Sequence, residues 1–457
     1  MFLVTNHTLT KITKGSMVHG EETHLNEYPL HLAIDSRNVQ QGDVFVCLKG
    51  ERVDGHEYVK QALAKGARGI IAQKPIPFVD TTDSFLLLVD DTAQALLDIA
   101  SEITKKYDSI LITGSAGKTT TKQILAKLLP SSYATFGNFN TPIGLPVALT
   151  GIPINTKWII SELSASYPGE IETLLPLFPS SKGAILTGIG YSHAAFFSST
   201  KEILRTKSLI FQNVSNPETC FANGHLGGLE KDLKRAYPQV QFYGFDDNLD
   251  IPILIDSMNT EGTTFSFTIN AVRYTFTIQC FGKHYVLNAV ACICLTLQLY
   301  PHLDEIELQK KLQGFSPGKG RGRLICLVND CICIDESYNA NPLSMKLSLD
   351  AFRAFPYSSK VLILGDMLEL GSISEKEHEE MGRLAKGCKT KKVFYIGQCG
   401  PSFRNGYGAS EDVSYCDSLD QLWKELQIWI KKGTVIFVKA SHGVGLHAIV
   451  DKLESME

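Results

Sequence analysis

The sequence has no excess of positive charge: 44 Lys and Arg stand against 48 Asp and Glu, a formal net charge of −4. That removes the electrostatic footprint expected for binding nucleic acid or anionic membranes non-specifically. There is no Cys-X-X-Cys pair and no short cysteine-dense module, and the 11 cysteines are an odd number spread along the chain. A disulfide scaffold is thereby excluded, and a reducing compartment, the cytoplasm, is expected. Cys292/Cys294 and Cys331/Cys333 are CxC spacings inside apolar runs and read as small core hydrophobes rather than metal ligands.

The opening stretch MFLVTNHTLTKITKG lacks the basic start and continuous apolar segment of an export signal. The longest charge-free run, Tyr285 to Leu303, is interrupted by Asn288, Thr296, Gln298 and Pro301, so a buried helix is expected there and no integral membrane association. No repeat of fixed period and no low-complexity tract occurs, which removes solenoids and linker arrays. What remains is a soluble globular composition, 44% hydrophobic and 20% charged. A length of 457 residues at roughly 100–200 per domain makes three domains the central expectation.

Short apolar runs (HLAID, DVFVCLK, GIIAQ, SFLLLVD) around a helical pattern at 56–65 read as a small α/β module, followed by the helical stretch TAQALLDIASEITKKY. A seam near residue 108 precedes the buried strand SILITG. From there to about residue 300, strand runs such as KWIISEL and GAILTGI alternate with helices, the pattern of a largely parallel sheet. Residues 251–281 alternate in the antiparallel manner instead. The segment FSPGKGRGR at 315–323 has linker chemistry, and beyond it CICIDE, KVLILGD, KVFYIG and TVIFVKA read as strands of a doubly wound sheet. The expected fold is α/β in three domains: a small N-terminal α/β domain (1–107), a central P-loop mononucleotide-binding parallel-sheet domain (108–318) and a C-terminal Rossmann-like domain (319–457).

The strongest local signal is LITGSAGKTTTKQILAKLL, a buried strand, then Gly114-Ser115-Ala116-Gly117-Lys118-Thr119, then an amphipathic helix. Glycines let backbone N–H groups approach phosphate oxygens, the helix N-terminus favours the anion, Lys118 supplies a point charge and the Thr119 hydroxyl suits Mg²⁺. The glycines are separated by two residues instead of the usual four, so the plain P-loop pattern is not matched. Agreement of strand, helix, Lys and Thr still favours an ATP site over a bare glycine turn. Glu162, His193 and Lys207 follow strand ends of the same region, where α/β sheets bind ligands. On residue chemistry alone, each also fits a capping or solvated side chain.

Taken with DSRNVQQGDVFVCLKGERVDGHEYVKQALAKGARG, GNFNTPIGLP, SELSASYPGEI, GKHYVLNAV, GRGRL, DESYNANPLSM and LGDMLELG, these motifs resemble the Mur ligase superfamily, the ATP-dependent amide ligases of peptidoglycan precursor synthesis, over essentially the whole chain. The chain has no Asp-Asn-Pro-Arg tetrapeptide of the diamino-acid-adding branch, so the resemblance is to the dipeptide-adding one. It implies a cytoplasmic, monomeric, ADP-forming ligase that joins D-alanyl-D-alanine to UDP-N-acetylmuramoyl-tripeptide with ATP and Mg²⁺. The three domains would hold sugar nucleotide, ATP and amino substrate in turn and close to assemble the site. Another Mur or folylpolyglutamate synthase-like ligase is the alternative, then a P-loop regulatory ATPase.

By the same resemblance, Gly114, Ser115, Ala116, Gly117, Lys118, Thr119 and Thr120 bind ATP phosphates, Asn288 the adenine, Arg323 a phosphate and Asp335 the ribose. Asp35, Ser36 and Arg37 match the sugar-nucleotide pocket, while Asn140, Thr141, Tyr338, Asn339 and Asn341 match further substrate-site positions. Thr119, Glu162 and His193 match Mg²⁺ ligands, and Lys207 matches a carbamylated lysine; Lys118, Lys207 and His193 would be the catalytic set. One stretch departs: the family's Lys-Gly-Ser-Arg reads Lys439-Ala440-Ser441-His442 here, an imidazole for a permanently charged guanidinium.

Overall fold

The computed structural model describes residues 5–19, 30–50, 52–76, 84–136, 139–190, 196–259 and 261–456. Its strands form three sheets in chain order, each with helices packed against it. The first sheet comprises β1 (Ser16–His19), β2 (Leu32–Ala33), β3 (Val44–Val46), β4 (Gly69–Ala72) and β5 (Phe85–Leu88), in the order β1-β5-β4-β3-β2. Only β1 runs antiparallel to its neighbour. The TAQALLDIASEIT helix, Thr92–Thr104, starts where the Asp91 carboxylate accepts the N–H groups of Ala93 and Gln94 at 2.7 and 3.1 Å. Ala95, Leu96, Ile99, Ala100 and Ile103 are buried, the 3–4 spacing of one helix face.

The second sheet has nine strands: β6 (Asp108–Thr113), β7 (Ser132–Ala134), β8 (Trp158–Glu162), β9 (Ser181–Leu186), β10 (Cys220–Asn223), β11 (Gln241–Gly244), β12 (Ile251–Asn259), β13 (Gly262–Ile269) and β14 (Val272–Ile278). Their order is β14-β13-β12-β11-β10-β9-β6-β8-β7. It is parallel from β7 through β12 and antiparallel from β12 to β14, as the alternating pattern of 251–281 anticipates. Strand β6 is flanked by β8 and β9, so the loop after it opens at the carboxyl edge of the sheet, the usual ligand position. The Lys283–Leu299 helix has every residue from Tyr285 to Leu297 buried, so its uncharged sequence serves the interior on all sides. No helix among the described residues is long and apolar enough to cross a membrane.

The third sheet is ordered β15-β16-β20-β17-β18-β19, from β15 (Arg323–Leu327), β16 (Cys331–Glu336), β17 (Ser359–Gly365), β18 (Lys392–Ile396), β19 (Val413–Cys416) and β20 (Thr434–Lys439). Four of these are the buried runs legible in sequence. The other two, β15 and β19, are edge strands whose residues are mostly half-buried, so no continuous apolar run marks them. Among the cysteines only Cys326 is exposed and Cys399 half-buried; both CxC pairs lie in the core.

One apolar cluster runs unbroken from Leu9, Val44 and Phe85 through the Thr92–Thr104 helix to Leu111, Leu186 and Phe211. The first sheet and one face of the second therefore share a single core. The third sheet has its own clusters, which reach back mainly through Phe281, packed edge-on against Phe355 at 4.5 Å.

Candidate active site

A cleft of 970 Å³ lies between the second and third sheets, lined from one side by the loop after β6 and from the other by the residues after β16. Gly117 caps the Lys118–Leu128 helix with φ +86°, a left-handed conformation, and an added Cβ would meet the Asn288 Oδ1 at 2.8 Å. Asn288 is thereby set directly against the loop. The Ser115 N–H donates to the Gly188 carbonyl at 2.9 Å, and its hydroxyl donates to the Gly190 carbonyl at 2.8 Å. The Thr187 hydroxyl donates to the Ala116 carbonyl. These bonds turn carbonyls away and leave the start of the helix open to an anion. Lys118 Nζ donates to the Gly114 carbonyl at 2.8 Å; burial pushes its ammonium below the usual lysine range, opposed by Glu162.

At the adjoining strand end, the Thr119 hydroxyl donates to Glu162 Oε2 at 2.8 Å, and Lys122 Nζ approaches Glu162 Oε1 at 3.2 Å. Glu162 and Lys122 are both buried, and each side chain has the other as its adjacent partner. Lys207, on the Thr200–Ser208 helix, is 1% exposed. Burial pushes its pKa well below the usual lysine value, Lys118 adds to the depression and Glu170 opposes it. Asn140 and Thr141 line the cleft, with the Ser164 N–H donating to the Asn140 carbonyl at 3.0 Å. His193 lies outside the described residues.

Across the cleft, Tyr338, Asn339 and Asn341 follow β16, and Asn341 Nδ2 donates to the Ser115 carbonyl at 2.9 Å. Lys439, at the end of β20, donates to Glu336 Oε2 at 2.9 Å and to the Asn339 carbonyl at 3.0 Å. His284 adds a contact to Glu336 Oε1 at 3.6 Å, and Lys439 and His284 together hold the Glu336 carboxyl well below its usual range despite burial. His442 is exposed, 5.8 Å from the Tyr338 ring and stacked on His447 at 4.9 Å.

Three family descriptions match in chain order: Mur ligase family, catalytic domain, over 31–104; Mur ligase middle domain, over 112–296; and Mur ligase, glutamate ligase domain, over 320–442. The chain is 32% identical to the UDP-N-acetylmuramoyl-tripeptide–D-alanyl-D-alanine ligase of Bacillus subtilis (strain 168), over 98% of each chain. The chain belongs to the Mur ligase family. Crystal structures of MurF from Acinetobacter baumannii (TM-score 0.86, 25% identity, covering 99% of this chain and 98% of that one) and from Thermotoga maritima with ADP (0.80, 27%, 94% and 98%) share its fold. The three-domain α/β architecture is therefore that of a Mur ligase.

Not every residue matched to the family by sequence lies in this cleft. Asp35, Ser36 and Arg37 belong to the first domain and are absent from the lining. There, Arg37 is clamped by Asp35 at 2.8 Å, and the Ser36 hydroxyl donates to Gln61 Oε1 at 2.8 Å. Asp335 also lies outside the lining; it accepts the Gly320 N–H at 2.6 Å and the Ser337 hydroxyl at 2.6 Å, so its carboxylate fixes the linker turn. Arg323 is committed to Glu454 at 2.6 Å, whereas Arg321, two residues earlier, lines the cleft with its guanidinium 3.9 Å from the Tyr338 ring centroid.

Of these two, Arg321 has the position to meet an anion. Arg321→Ala is expected to lower kcat/KM by ~10²-fold, the scale of losing one charged donor in a desolvated site. Arg323→Ala should stay within ~3-fold, its loss being a partly exposed ion pair. Steady-state kinetics of the two variants decides between them, and the reverse ranking would restore Arg323.

Lys122, Glu170 and the Lys439–Glu336 pair escaped the sequence reading. Lys122 carried a signal, since it follows Lys118 by four residues on one helix. One further cluster, Asp366, His378 and Cys399, has metal-ligand chemistry. Its acceptor sites are already occupied: Asp366 accepts the Tyr395 hydroxyl and the N–H groups of Gln398 and Cys399, and His378 Nε2 accepts the Met367 N–H at 2.9 Å. It braces the loops after β17 and β18.

Proposed function

We propose that this chain is the ATP-dependent ligase joining D-alanyl-D-alanine to UDP-N-acetylmuramoyl-tripeptide, giving the pentapeptide precursor of peptidoglycan, ADP and phosphate. The observation that carries the reading is the convergence of Lys118, Thr119, Glu162, Lys207, Asn339 and Asn341 on one cleft, in a chain collinear with a ligase of that name. Residues 1–107 hold the sugar nucleotide, 108–318 hold ATP and 319–457 present the dipeptide. All three platforms come from one chain, so a monomer suffices.

A carboxylate oxygen of the tripeptide attacks the γ-phosphorus, the β–γ bond breaks and ADP leaves with the bridging oxygen. The dipeptide amine then attacks the acyl carbon of the resulting acyl phosphate, phosphate departs with the C–O electron pair, and the amine gives up a proton. Lys118 and the N–H groups opening its helix hold the phosphates in line, and Arg321 faces them from the linker. Catalysis of this kind is chiefly positioning and charge neutralisation.

The Thr119 hydroxyl and Glu162 carboxylate are hard oxygen donors 2.8 Å apart beside the loop, a set that fits Mg²⁺. Bound there, Mg²⁺ would offset charge on the β- and γ-phosphates. The Lys207 amine fits a cation only as its carbamate, which reverses the charge.

Phosphate release from ATP in the presence of UDP-muramoyl tripeptide tests the function. Release is expected to depend on D-alanyl-D-alanine and to fall by ~10²-fold or more with single amino acids, because a recognition site for the longer acceptor leaves polar groups unpaired against a short one. Release indifferent to the acceptor would make the protein a nucleotide hydrolase instead, and preference for a single amino acid would move it to another branch of the family.

A further inference from the structure

Asn341 stands 226 residues from Ser115 in sequence, yet its amide bonds directly to that residue. Its Oδ1 accepts the Ser344 N–H at 2.9 Å while the Ser344 hydroxyl accepts the Asn341 N–H at 3.1 Å, a reciprocal cap on the Pro342–Ala354 helix. The cap fixes the side chain, so Nδ2 projects away from the helix and reaches the Ser115 carbonyl at 2.9 Å. In the same first turn, Leu343 fills the space over Gly190, where an added Cβ would meet the Leu343 Cβ at 2.9 Å. Ser115 is itself bonded to Gly188 and Gly190. The first turn of a third-domain helix thus rests on the same three-residue knot that shapes the phosphate loop.

We infer that Asn341 is a positioning residue: its amide seats the third domain on the phosphate loop, so that the acceptor platform is aligned with the nucleotide, and it contacts neither substrate. The inference rests on the reading of residues 114–119 as the nucleotide site. The amide oxygen and one Nδ2 hydrogen are both held by protein partners, which fixes the side chain in the orientation that joins the two domains. Leu343 supplies the apolar half of the same seat and gives a neutral way to disturb it.

Asn341→Ser keeps a capping oxygen but is too short to reach Ser115. Leu343→Ala weakens the seat without touching the cap. In the full-length protein each is expected to lower kcat by ~10-fold. The KM values for UDP-muramoyl tripeptide and D-alanyl-D-alanine, and the Kd for a non-hydrolysable ATP analogue, should stay within ~2-fold. Because the two act on one contact, the double variant should lose markedly less than the product of the single losses. A raised KM for either substrate at unchanged kcat would make Asn341 a substrate contact and overturn the inference; so would unchanged kinetics in both single variants. Failure of the wild-type protein to bind the analogue would instead remove the nucleotide reading itself, and the inference with it.

Discussion

Lys118→Ala is expected to lower turnover by ~10³-fold or more while leaving the fold intact. The side chain lies at the floor of a shielded cleft and donates to the Gly114 carbonyl at 2.8 Å, ready to exchange that acceptor for a phosphate oxygen. A charge-assisted bond in a shielded cleft contributes far more than one in water, and the nearest lysines do not substitute for it: Lys122 is held by Glu162 and Lys207 lies on a different helix. Arginine should not rescue, since its planar fork needs more width than a compact ammonium. Single-turnover ADP formation and circular dichroism on the same preparation read activity and fold together. Residual ligation above ~10% of wild type would be incompatible with the assigned role.

Lys207→Ala is the second large effect, again ~10³-fold, and its diagnostic is chemical rescue. An ammonium in this place would repel the cation that Thr119 and Glu162 suit. Burial and the neighbouring Lys118 lower its pKa, which favours the neutral amine, the form whose lone pair bonds the carbon of CO₂ and then releases a proton to leave a carbamate. Short carboxylates such as acetate should restore part of the activity of Lys207→Ala but none of Lys118→Ala. Absence of rescue together with full activity of bicarbonate-depleted wild type would rule the carbamate out. The unmodified lysine also imposes a pH dependence on stability. With its folded pKa depressed, the unfolded state binds more protons between that pKa and the ordinary lysine value. Stability therefore rises with pH across that window, and Lys207→Met should flatten the rise in thermal melts.

Much of this site could be read from the sequence because its parts are local. Gly114 to Thr119 carry strand, turn, charge and hydroxyl within one short segment, and the Glu162 strand end follows from a buried run. Pairings between residues far apart in the chain left no trace: Lys439 meets Glu336 because β20 lies beside β16 in the third sheet, and Asn341 meets Ser115 because the second and third sheets face each other. Arg321 and Arg323 show the limit at short range. Gly322, at φ +87°, turns the chain between them and leaves no room for a side chain against the Tyr285 hydroxyl. Arg323 then enters an edge strand toward Glu454, while Arg321 is released into the cleft. Reading two arginines two residues apart cannot reveal a left-handed turn between them.

The apolar cluster that joins the first sheet to the second sets how the molecule comes apart. Elements sharing one core exchange their hydration together, whereas the third domain is fastened to the rest by a few polar bonds, Leu343 and the Phe281–Phe355 ring pair. Scanning calorimetry should therefore record two endotherms, with the larger enthalpy in the one that covers the first two domains jointly. The enzyme would then behave mechanically as two bodies carrying three binding platforms.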